Sequence, residues 1–312
     1  MTTITKPFTG TLYRYLSLTK EDKEDLEIIS EWSASNNRIA AWNYINSNAH
    51  KRDHRLLCLI KNKKLYRTTP SGFNDPYDCL VEIDNNASDE DLLAWLRQYF
   101  RNQAFDPEVW QKQGTRLSKY IENNNNSLEA NDRPPVIELI QTTLQEIVNK
   151  SRIICFSKSR ENLLMWAHYA DKHSGYCLTF DANKLKGERN LIGLFEVDYP
   201  EDQSRPLIQL SPGEIGSHEL AEKILLTKSL HWRYEEEVRL IWVNREEYFV
   251  FQAESLTGIV FGAKMPRECH TGFQFLLKTL NEKEWEHVSF SRTELDSKKY
   301  KVNLRAFNKE SS

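Results

Sequence analysis

Two glutamates in the last third of the chain, Glu235 and Glu237, have the residue type and spacing to do chemistry. They belong to residues 232–242, where apolar and polar side chains alternate as in a β-strand. Successive side chains of a strand point to opposite faces, so the two carboxylates would share one face, roughly 7 Å apart. Two like charges this close destabilise the fold unless they are solvated, ion-paired or kept for catalysis. The pattern indicates either a catalytic pair or a strand entry with ion pairs to Arg233 or Arg239.

Three more polar residues stand where predicted elements could present them to a ligand. Arg14 lies among apolar neighbours in the predicted strand 11–16. Its guanidinium could hold a phosphate or carboxylate, or simply reach solvent from a sheet edge. Ser157 follows an apolar run and would present its hydroxyl at the start of a loop. Asn74 lies in residues 73–78, a turn-forming sequence that could also order a pocket wall.

Aromatic and histidine side chains recur in and just after a helix predicted at residues 161–172. Trp166, Tyr169 and His173 are three to four residues apart and would share one helix face. We interpret Trp166 as a core residue, because aromatic stripes at this spacing are usually core. Tyr169 and His168 are the candidates for stacking on a flat ligand or bonding it.

Several familiar kinds of site are not indicated by the sequence. His168, His173 and Cys177 have a spacing that matches no standard zinc finger, and no Cys-x-x-Cys pair occurs. There is no Gly-x-Ser-x-Gly elbow and no glycine-rich phosphate loop. We therefore predict no metal ligands, and neither a serine hydrolase nor a P-loop or Rossmann enzyme.

Composition favours an ordinary globular protein of the cytoplasm. The 312 residues carry 42 basic and 45 acidic side chains, a net charge of −3, without blocks of like charge. This pattern gives no electrostatic footprint for nucleic acid or membrane. The start of the chain lacks the apolar core of a signal peptide, and no stretch has the length of a transmembrane helix. The five dispersed cysteines resemble buried apolar residues in a reducing compartment.

The order of predicted elements favours an α+β fold in a single catalytic domain, residues 1–312. Residues 88–150 have apolar side chains at helical spacing, interrupted by the polar run Asn123–Ser127, and are interpreted as a helical insertion. From residue 151 onwards short strands dominate and few helical crossovers separate them. That succession argues against a doubly wound sheet.

Four sequence motifs, read together, resemble an uncharacterised bacterial family. The motifs are an Asn-Asp-Pro-aromatic-Asp turn, a Cys-Phe-Ser strand, a Leu-Met-Trp-x-His-Tyr-Ala helix and a Trp-x-Tyr-Glu-x-Glu-x-Arg strand. They stand at Asn74–Asp78, Cys155–Ser157, Leu164–Ala170 and Trp232–Arg239. The resemblance covers residues 11–265, apart from the insertion.

The order of an early Arg, a middle Ser and a late Glu-x-Glu is similar to the Arg-Ser-Glu pattern of ADP-ribosyltransferases. That similarity implies a split β-sandwich that binds NAD between two small sheets. It implies that Arg14 holds the phosphates or ribose of NAD, that Ser157 orders the pocket, and that Tyr169 faces the nicotinamide. Glu237 would bond the ribose 2′-hydroxyl, and Glu235 would orient the acceptor.

The implied function is NAD-dependent transfer of ADP-ribose to a protein or nucleic acid. A fixed carboxylate suits this reaction, because cleavage of the nicotinamide–ribose bond develops positive charge on the sugar. Families of this kind occur as toxins and phage-defence effectors, which implies an antitoxin or other regulatory partner. An NAD glycohydrolase would use the same residues with water as the acceptor.

Two other classes remain open. A metal-dependent nuclease could use Asp75 or Asp78 with Glu235 and Glu237, since carboxylates bind Mg²⁺. A non-catalytic nucleotide- or partner-binding module would instead use the aromatic residues to line a groove. Metal dependence, nicotinamide release, or binding without turnover would distinguish the three.

Overall fold

A computed structural model of the chain describes residues 8–84, 86–102, 127–185, 191–202, 204–208, 223–243 and 246–307. The chain forms two compact units. The first comprises Met1–Thr68, Arg152–Val197 and His231–Ser312, and the second comprises Thr69–Ser151 and Asp198–Leu230. The predicted insertion, residues 88–150, belongs to the second unit, and its residues 103–126 lie outside the described part.

Helices and strands alternate irregularly along the chain. The helices are α1 (Lys20–Ala34), α2 (Arg38–Asn48), α3 (Arg55–Asn62), α4 (Asp89–Asn102), α5 (Arg133–Asn149), α6 (Leu163–Tyr169) and α7 (Arg267–Trp285). The strands are β1 (Thr11–Leu16), β2 (Lys64–Tyr66), β3 (Glu82–Ile83), β4 (Ser151–Ser157), β5 (Tyr176–Asp181), β6 (Leu191–Glu196), β7 (Leu207–Ile208), β8 (Glu237–Val243), β9 (Tyr248–Val250), β10 (Leu256–Phe261), β11 (Ser289–Leu295) and β12 (Val302–Ala306).

The first unit contains an eight-stranded mixed sheet in the order β12-β11-β10-β5-β1-β4-β8-β6. Strands β10 and β11 are parallel, whereas β1 is antiparallel to both β5 and β4. The long β1–β5 ladder contrasts with the β1–β4 contact, whose register is the single pair Tyr13–Ser157. Strands β2 and β9 form a separate antiparallel pair. The first unit thus mixes helices with a large mixed sheet, in keeping with the coarse part of the predicted fold class.

Period-two alternation divides the sheet residues between two faces. On β5, Leu178 and Phe180 join the main core with residues of α1, α2, α3 and α7, whereas Cys177 points to the other face. That other face carries a smaller cluster in which Trp166 of α6 packs with Tyr15 of β1. The prediction of Trp166 as a core residue is confirmed, since its side chain is fully buried.

Local sequence signals explain where the helices of the first unit begin. Thr19 and Asp22 form a capping box at the start of α1, each side chain bonding the other residue's backbone N–H. Asn162 caps α6 by accepting hydrogen bonds from the backbone N–H groups of Leu164 and Met165. These caps fix the first turn of two helices that cover opposite faces of the sheet.

The second unit combines α4 and α5 with the short parallel pair β3–β7. The side-chain amide of Gln145 on α5 accepts from the backbone N–H of Val81 and donates to the carbonyl of Cys79. Asp78 forms a buried ion pair with Lys228, with 3.5 Å between Oδ2 and Nζ. Of the helix that the sequence predicts at residues 217–229, residues 217–222 lie outside the described part, and residues 223–225 are helical. Within the described ranges, no helix combines the length and apolar character needed to cross a membrane.

Candidate functional site

The two candidate glutamates, Glu235 and Glu237, lie in different secondary structure. A 3₁₀ helix spans Leu230–Glu235, Glu236 has a left-handed φ of 44°, and β8 begins only at Glu237. The predicted strand over residues 232–242 is therefore wrong before Glu237. The aromatic residues of the motif alternate with polar ones as they would in a strand. The left-handed Glu236, however, ends the 3₁₀ helix and changes the direction of the chain before β8. Glu235 and Glu237 consequently do not share a strand face.

Glu237 is held by an ion pair within its own strand. The Nε and Nη2 atoms of Arg239 donate to the two carboxylate oxygens of Glu237 over 2.9 and 3.0 Å. Residues i and i+2 of a strand share a face, which allows this bidentate contact. Glu237 is 3% exposed and Arg239 is fully buried. Of the two sequence interpretations, the ion pair with Arg239 is therefore present.

Arg14 reaches this ion pair from β1. Its Nη1 donates to the backbone carbonyl of Cys155 on β4, where the two strands share only one registered pair. Its Nε is buried and finds no hydrogen-bond partner among the described residues. Burial lowers the pKa of Arg14, and the negative charge of Glu237 opposes that change. We refer to Arg14, Cys155, Glu237 and Arg239 as the arginine cluster.

The thiol of Cys155 lies near the three charged members of the arginine cluster. Burial, and then the charge of Glu237, raise the pKa of the Cys155 thiol well above its ordinary value. The nearby cations Arg239 and Arg14 act in the opposite direction. Cys155 is therefore a neutral thiol at physiological pH. Cys155 belongs to the Cys-Phe-Ser motif, but the sequence analysis gave it no functional role.

Ser157 ends β4 and is buried. Its Oγ accepts a hydrogen bond from the backbone N–H of Ser159 over 3.1 Å. One residue further, the N–H of Lys158 donates to the carbonyl of Glu236 over 3.0 Å. The strand end predicted to present a hydroxyl is thus bonded to the bend between the two candidate glutamates. The Ser157 hydroxyl itself bonds the backbone of the segment that follows β4.

Glu235 contacts a helix residue that the sequence also singled out. The hydroxyl of Tyr169, at the end of α6, donates to Oε1 of Glu235 over 2.5 Å. Glu235 is 4% exposed, whereas Tyr169 is half-buried. A short hydrogen bond to a buried carboxylate orients both groups.

A histidine and a second tyrosine extend this contact towards the surface. Nδ1 of His168 lies 3.0 Å from the hydroxyl of Tyr234, and the two rings are 5.9 Å apart in an edge arrangement. The side chain of Asn162 donates to the carbonyl of Tyr234 while its oxygen caps α6. We refer to Glu235, Tyr169, His168 and Tyr234 as the tyrosine cluster.

Asn162 and Tyr234 were missed as site residues. Both left a signal, because Asn162 precedes an apolar helical run as N-cap residues do, and Tyr234 lies in the last motif.

His173 does not share the face of Trp166 and Tyr169, so that prediction is wrong. Helix α6 ends at Tyr169, and Asp171, Lys172 and His173 all have left-handed φ angles. The chain turns back on itself there, and the N–H of His173 bonds the carbonyl of Trp166. Gly175 completes the turn. A Cβ at Gly175 would lie 2.3 Å from the carbonyl oxygen of Leu16, so only glycine fits.

Asn74 belongs to the second unit, whereas the other candidate residues belong to the first. It is exposed in a turn whose Asp75 accepts from the backbone N–H of Tyr77. This is the geometry of a turn-forming sequence. In the part of the chain that the structure describes, no three His, Cys, Asp or Glu residues are grouped as metal ligands would be.

The two clusters offer complementary chemistry in one unit. The arginine cluster carries two cations and one carboxylate, and the Nε of Arg14 is a donor with no acceptor within the described ranges. It can therefore attract an anion such as a phosphate. The tyrosine cluster supplies a buried carboxylate, an exposed imidazole and aromatic rings. The backbone of residues 234–237 joins the two clusters.

Comparison with known proteins gives one match. Residues 165–240 match the family described as a protein of unknown function, DUF2971. No curated protein and no solved structure shows significant similarity to the chain. The matched segment contains most of α6, all of β5, β6 and β7, and the start of β8, and with them Tyr169, Glu235 and Glu237. The chain is thus similar, over this segment, to an uncharacterised family.

Proposed function

We propose that this chain is an NAD-dependent ADP-ribosyltransferase of the cytoplasm. The observation that carries the proposal is the meeting of Arg14, Cys155 and Glu237 where β1 and β4 share a single registered pair. An early-strand arginine beside a late-strand glutamate is the arrangement that the Arg-Ser-Glu resemblance implies. Ser157, the remaining member of that pattern, is the β4 residue of the same pair. A split β-sandwich fold is part of this proposal.

The proposed roles follow from charge and contact. Arg14 has an unsatisfied Nε and would bond the phosphates of NAD. Glu237, whose carboxylate is held in place by Arg239, would accept a hydrogen bond from the ribose 2′-hydroxyl. The negative charge would stabilise the oxocarbenium-like state as the nicotinamide–ribose bond breaks. Tyr169 would lie against the nicotinamide.

Glu235 is proposed to orient the acceptor. It is held by the hydroxyl of Tyr169, and the exposed His168 lies beside Tyr234 in the same cluster. The acceptor is proposed to be a protein or nucleic acid, and the setting a toxin or phage-defence system with a regulatory partner. With water as acceptor, the same residues would make an NAD glycohydrolase.

Nicotinamide release from NAD tests the proposal. Wild-type protein should release nicotinamide, in the presence of cell lysate or total RNA if an acceptor is required. Glu237→Gln and Glu235→Gln should each lower the rate by at least tenfold, while Glu236→Gln should not. Glu236 is the matched control, because it lies between the two and its side chain is exposed.

Stability must be measured on the same variants. Glu237→Gln also removes the charge that balances buried Arg239, so its melting temperature should fall. The assay is therefore run well below that temperature. No release by wild-type protein under any condition, or equal rates in all variants, would overturn the proposal.

A nucleotide-binding module without catalysis is the second candidate. The observation in its favour is that both carboxylates are buried and already bonded, Glu237 to Arg239 and Glu235 to Tyr169. Equilibrium dialysis with NAD separates the candidates. Binding that depends on Arg14 without any nicotinamide release would identify the module.

A further inference from the structure

A cavity of about 370 Å³ lies in the first unit. Its lining residues include no member of the arginine cluster or the tyrosine cluster. It is bounded by the loop after β10, the first turn of α7 and the second half of β11. Its polar lining residues are Lys264, Arg267, His270, Arg292, Thr293 and Glu294. None of these residues has a role in the proposed transfer reaction.

His270 is the residue that points to a ligand. Its ring is 5% exposed, stacks on Phe261 at 4.5 Å and meets the edge of Phe307 at 5.3 Å. Neither ring nitrogen has a hydrogen-bond partner among the described residues. A neutral imidazole carries one N–H donor and one acceptor, and burying both unsatisfied is costly. A polar group in the cavity that His270 lines would satisfy it.

The charges around the cavity favour an anion. Lys264 and Arg267 are exposed and have no ion-pair partner in the described ranges. Arg292 is paired with Glu294 over 2.6 Å, and Arg305 neutralises Glu294 further from outside the cavity. These cations outnumber the carboxylates, even when Glu268 on the first turn of α7 is included.

The backbone adds to this positive field. Helix α7 begins after Pro266, which offers no side-chain cap, so the first N–H groups of a 19-residue helix are not capped by a side chain. The N-terminal end of a helix carries a partial positive charge and binds phosphate readily. The adjacent N–H groups of Lys264 and Met265 are already bonded to His173 and Gly262. The available donors are thus those of the helix, the two free cations and His270.

We propose that this cavity binds the phosphate group of a small ligand. Arg267 and Lys264 would pair with the phosphate oxygens, the first turn of α7 would donate backbone N–H groups, and His270 would donate from one ring nitrogen. The dianionic charge of a phosphate monoester matches several converging cations better than a single carboxylate does. The ligand is either inorganic phosphate or a phosphorylated metabolite, which share this chemistry.

Titration with phosphate tests the assignment on the whole chain. Protein labelled with ¹⁵N-histidine is titrated at pH 7.5 with inorganic phosphate, adenosine 5′-monophosphate or adenosine, against chloride at equal ionic strength. The ring nitrogens of His270 should shift saturably with phosphate or the monophosphate and not with adenosine. Tighter binding of the monophosphate would identify a phosphorylated metabolite as the source, and equal binding would identify the phosphate itself.

Two charge-matched variants keep the test sharp. Arg267→Gln should weaken phosphate binding about fivefold or more, because it removes one charge-assisted contact. Lys278→Gln removes the same charge from an exposed position later in α7 and should leave the affinity unchanged. Both sites are exposed, so both variants should fold. No shift of His270 with phosphate or the monophosphate, or equal affinities in the two variants, would overturn the proposal.

Discussion

The carboxylate of Glu237 and the guanidinium of Arg239 form a bidentate ion pair two residues apart on one strand, and both side chains are buried. Removing one partner of such a pair leaves an uncompensated charge away from water, at a cost of about 3–5 kcal/mol. We expect Arg239→Met to lower the free energy of unfolding by about this amount in urea denaturation. Arg233→Met, at an exposed position of the same motif, is the control.

The double variant Glu237→Gln with Arg239→Met completes the cycle. It removes both charges, so it should recover much of the stability lost by Arg239→Met alone. Additive losses in the double variant would show that the two residues do not stabilise each other.

The hydrogen bond from Tyr169 to Glu235 predicts a measurable effect of one oxygen atom. Tyr169→Phe keeps the ring and removes the donor to a buried carboxylate, which should cost about 1.5–3 kcal/mol of unfolding free energy. If Glu235 positions an acceptor, the transfer of ADP-ribose, followed as nicotinamide release, should fall in the same variant. Tyr234→Phe removes the contact of a hydroxyl with the exposed imidazole of His168, not with a buried carboxylate, and should cost clearly less. Equal losses in the two variants would contradict the special role of Tyr169.

The environment of Cys155 predicts low thiol reactivity. Burial and the charge of Glu237 raise the pKa of this thiol, so little thiolate forms near neutral pH. Iodoacetamide should modify native Cys155 far more slowly than Cys58 at pH 7.5, as measured by peptide mass spectrometry, although both side chains are half-buried. Glu237→Gln removes one of the two main causes and should speed the modification of Cys155. An unchanged rate would place the two side chains further apart than the structure does.

Close contact between α7 and α1 predicts the effect of a single methyl group. A Cβ at Gly272 would lie 2.0 Å from the carbonyl oxygen of Leu26, which is backbone and cannot turn aside. Gly272→Ala should therefore lower the melting temperature, although alanine favours helix by about 1 kcal/mol. Thr271→Ala on the exposed side of the same helix should leave the melting temperature nearly unchanged. A stabilised Gly272→Ala variant would show that the helices separate easily.

The buried imidazole of His270 predicts a pH dependence of stability. Burial, and then Arg292 and Arg267, lower its pKa to about 4 from an ordinary value of 6.5. Between these values the unfolded chain binds more protons than the folded one, so stability falls as the pH drops from about 6.5 towards 4. We expect the free energy of unfolding, measured by urea denaturation in phosphate-free buffer, to fall over this pH range in the wild type. In His270→Gln the decrease should be smaller by up to about 3 kcal/mol. Parallel pH curves for the two proteins would contradict the low pKa.

Particular residues show how far the sequence could lead. The capping box at Thr19 is local, and both its partners lie within one helical turn, so the sequence pattern alone is enough to indicate where α1 begins. The strand over 232–236 was wrong, because alternating aromatic residues look the same in a 3₁₀ helix followed by a left-handed residue. His173 was wrongly predicted on the helix face of Trp166 and Tyr169 for a similar reason. The residue types at 171–173 do not indicate three successive left-handed conformations.

The partners of Arg14 illustrate what spacing cannot provide. Apolar neighbours on the predicted strand identified Arg14 as unusual, and the structure leaves its Nε unsatisfied. Its hydrogen bond to Cys155 joins residues 141 positions apart, and their meeting depends on the strand order of the whole sheet. Such contacts are decided by tertiary packing, which no local pattern encodes. Arg239 could be guessed as a partner of Glu237 because it is only two residues away.

The central position of β1 has a consequence for the order in which this chain folds during synthesis. Leu12 of β1 pairs with Phe180 of β5, and Tyr13 with Ser157 of β4, so both flanking strands are made long after it. At typical translation rates, the interval is on the order of ten seconds. Helices α1–α3 can form in that time, but the core beneath them stays open until β5 has left the ribosome. The nascent chain is then a natural client for chaperones that shield apolar segments.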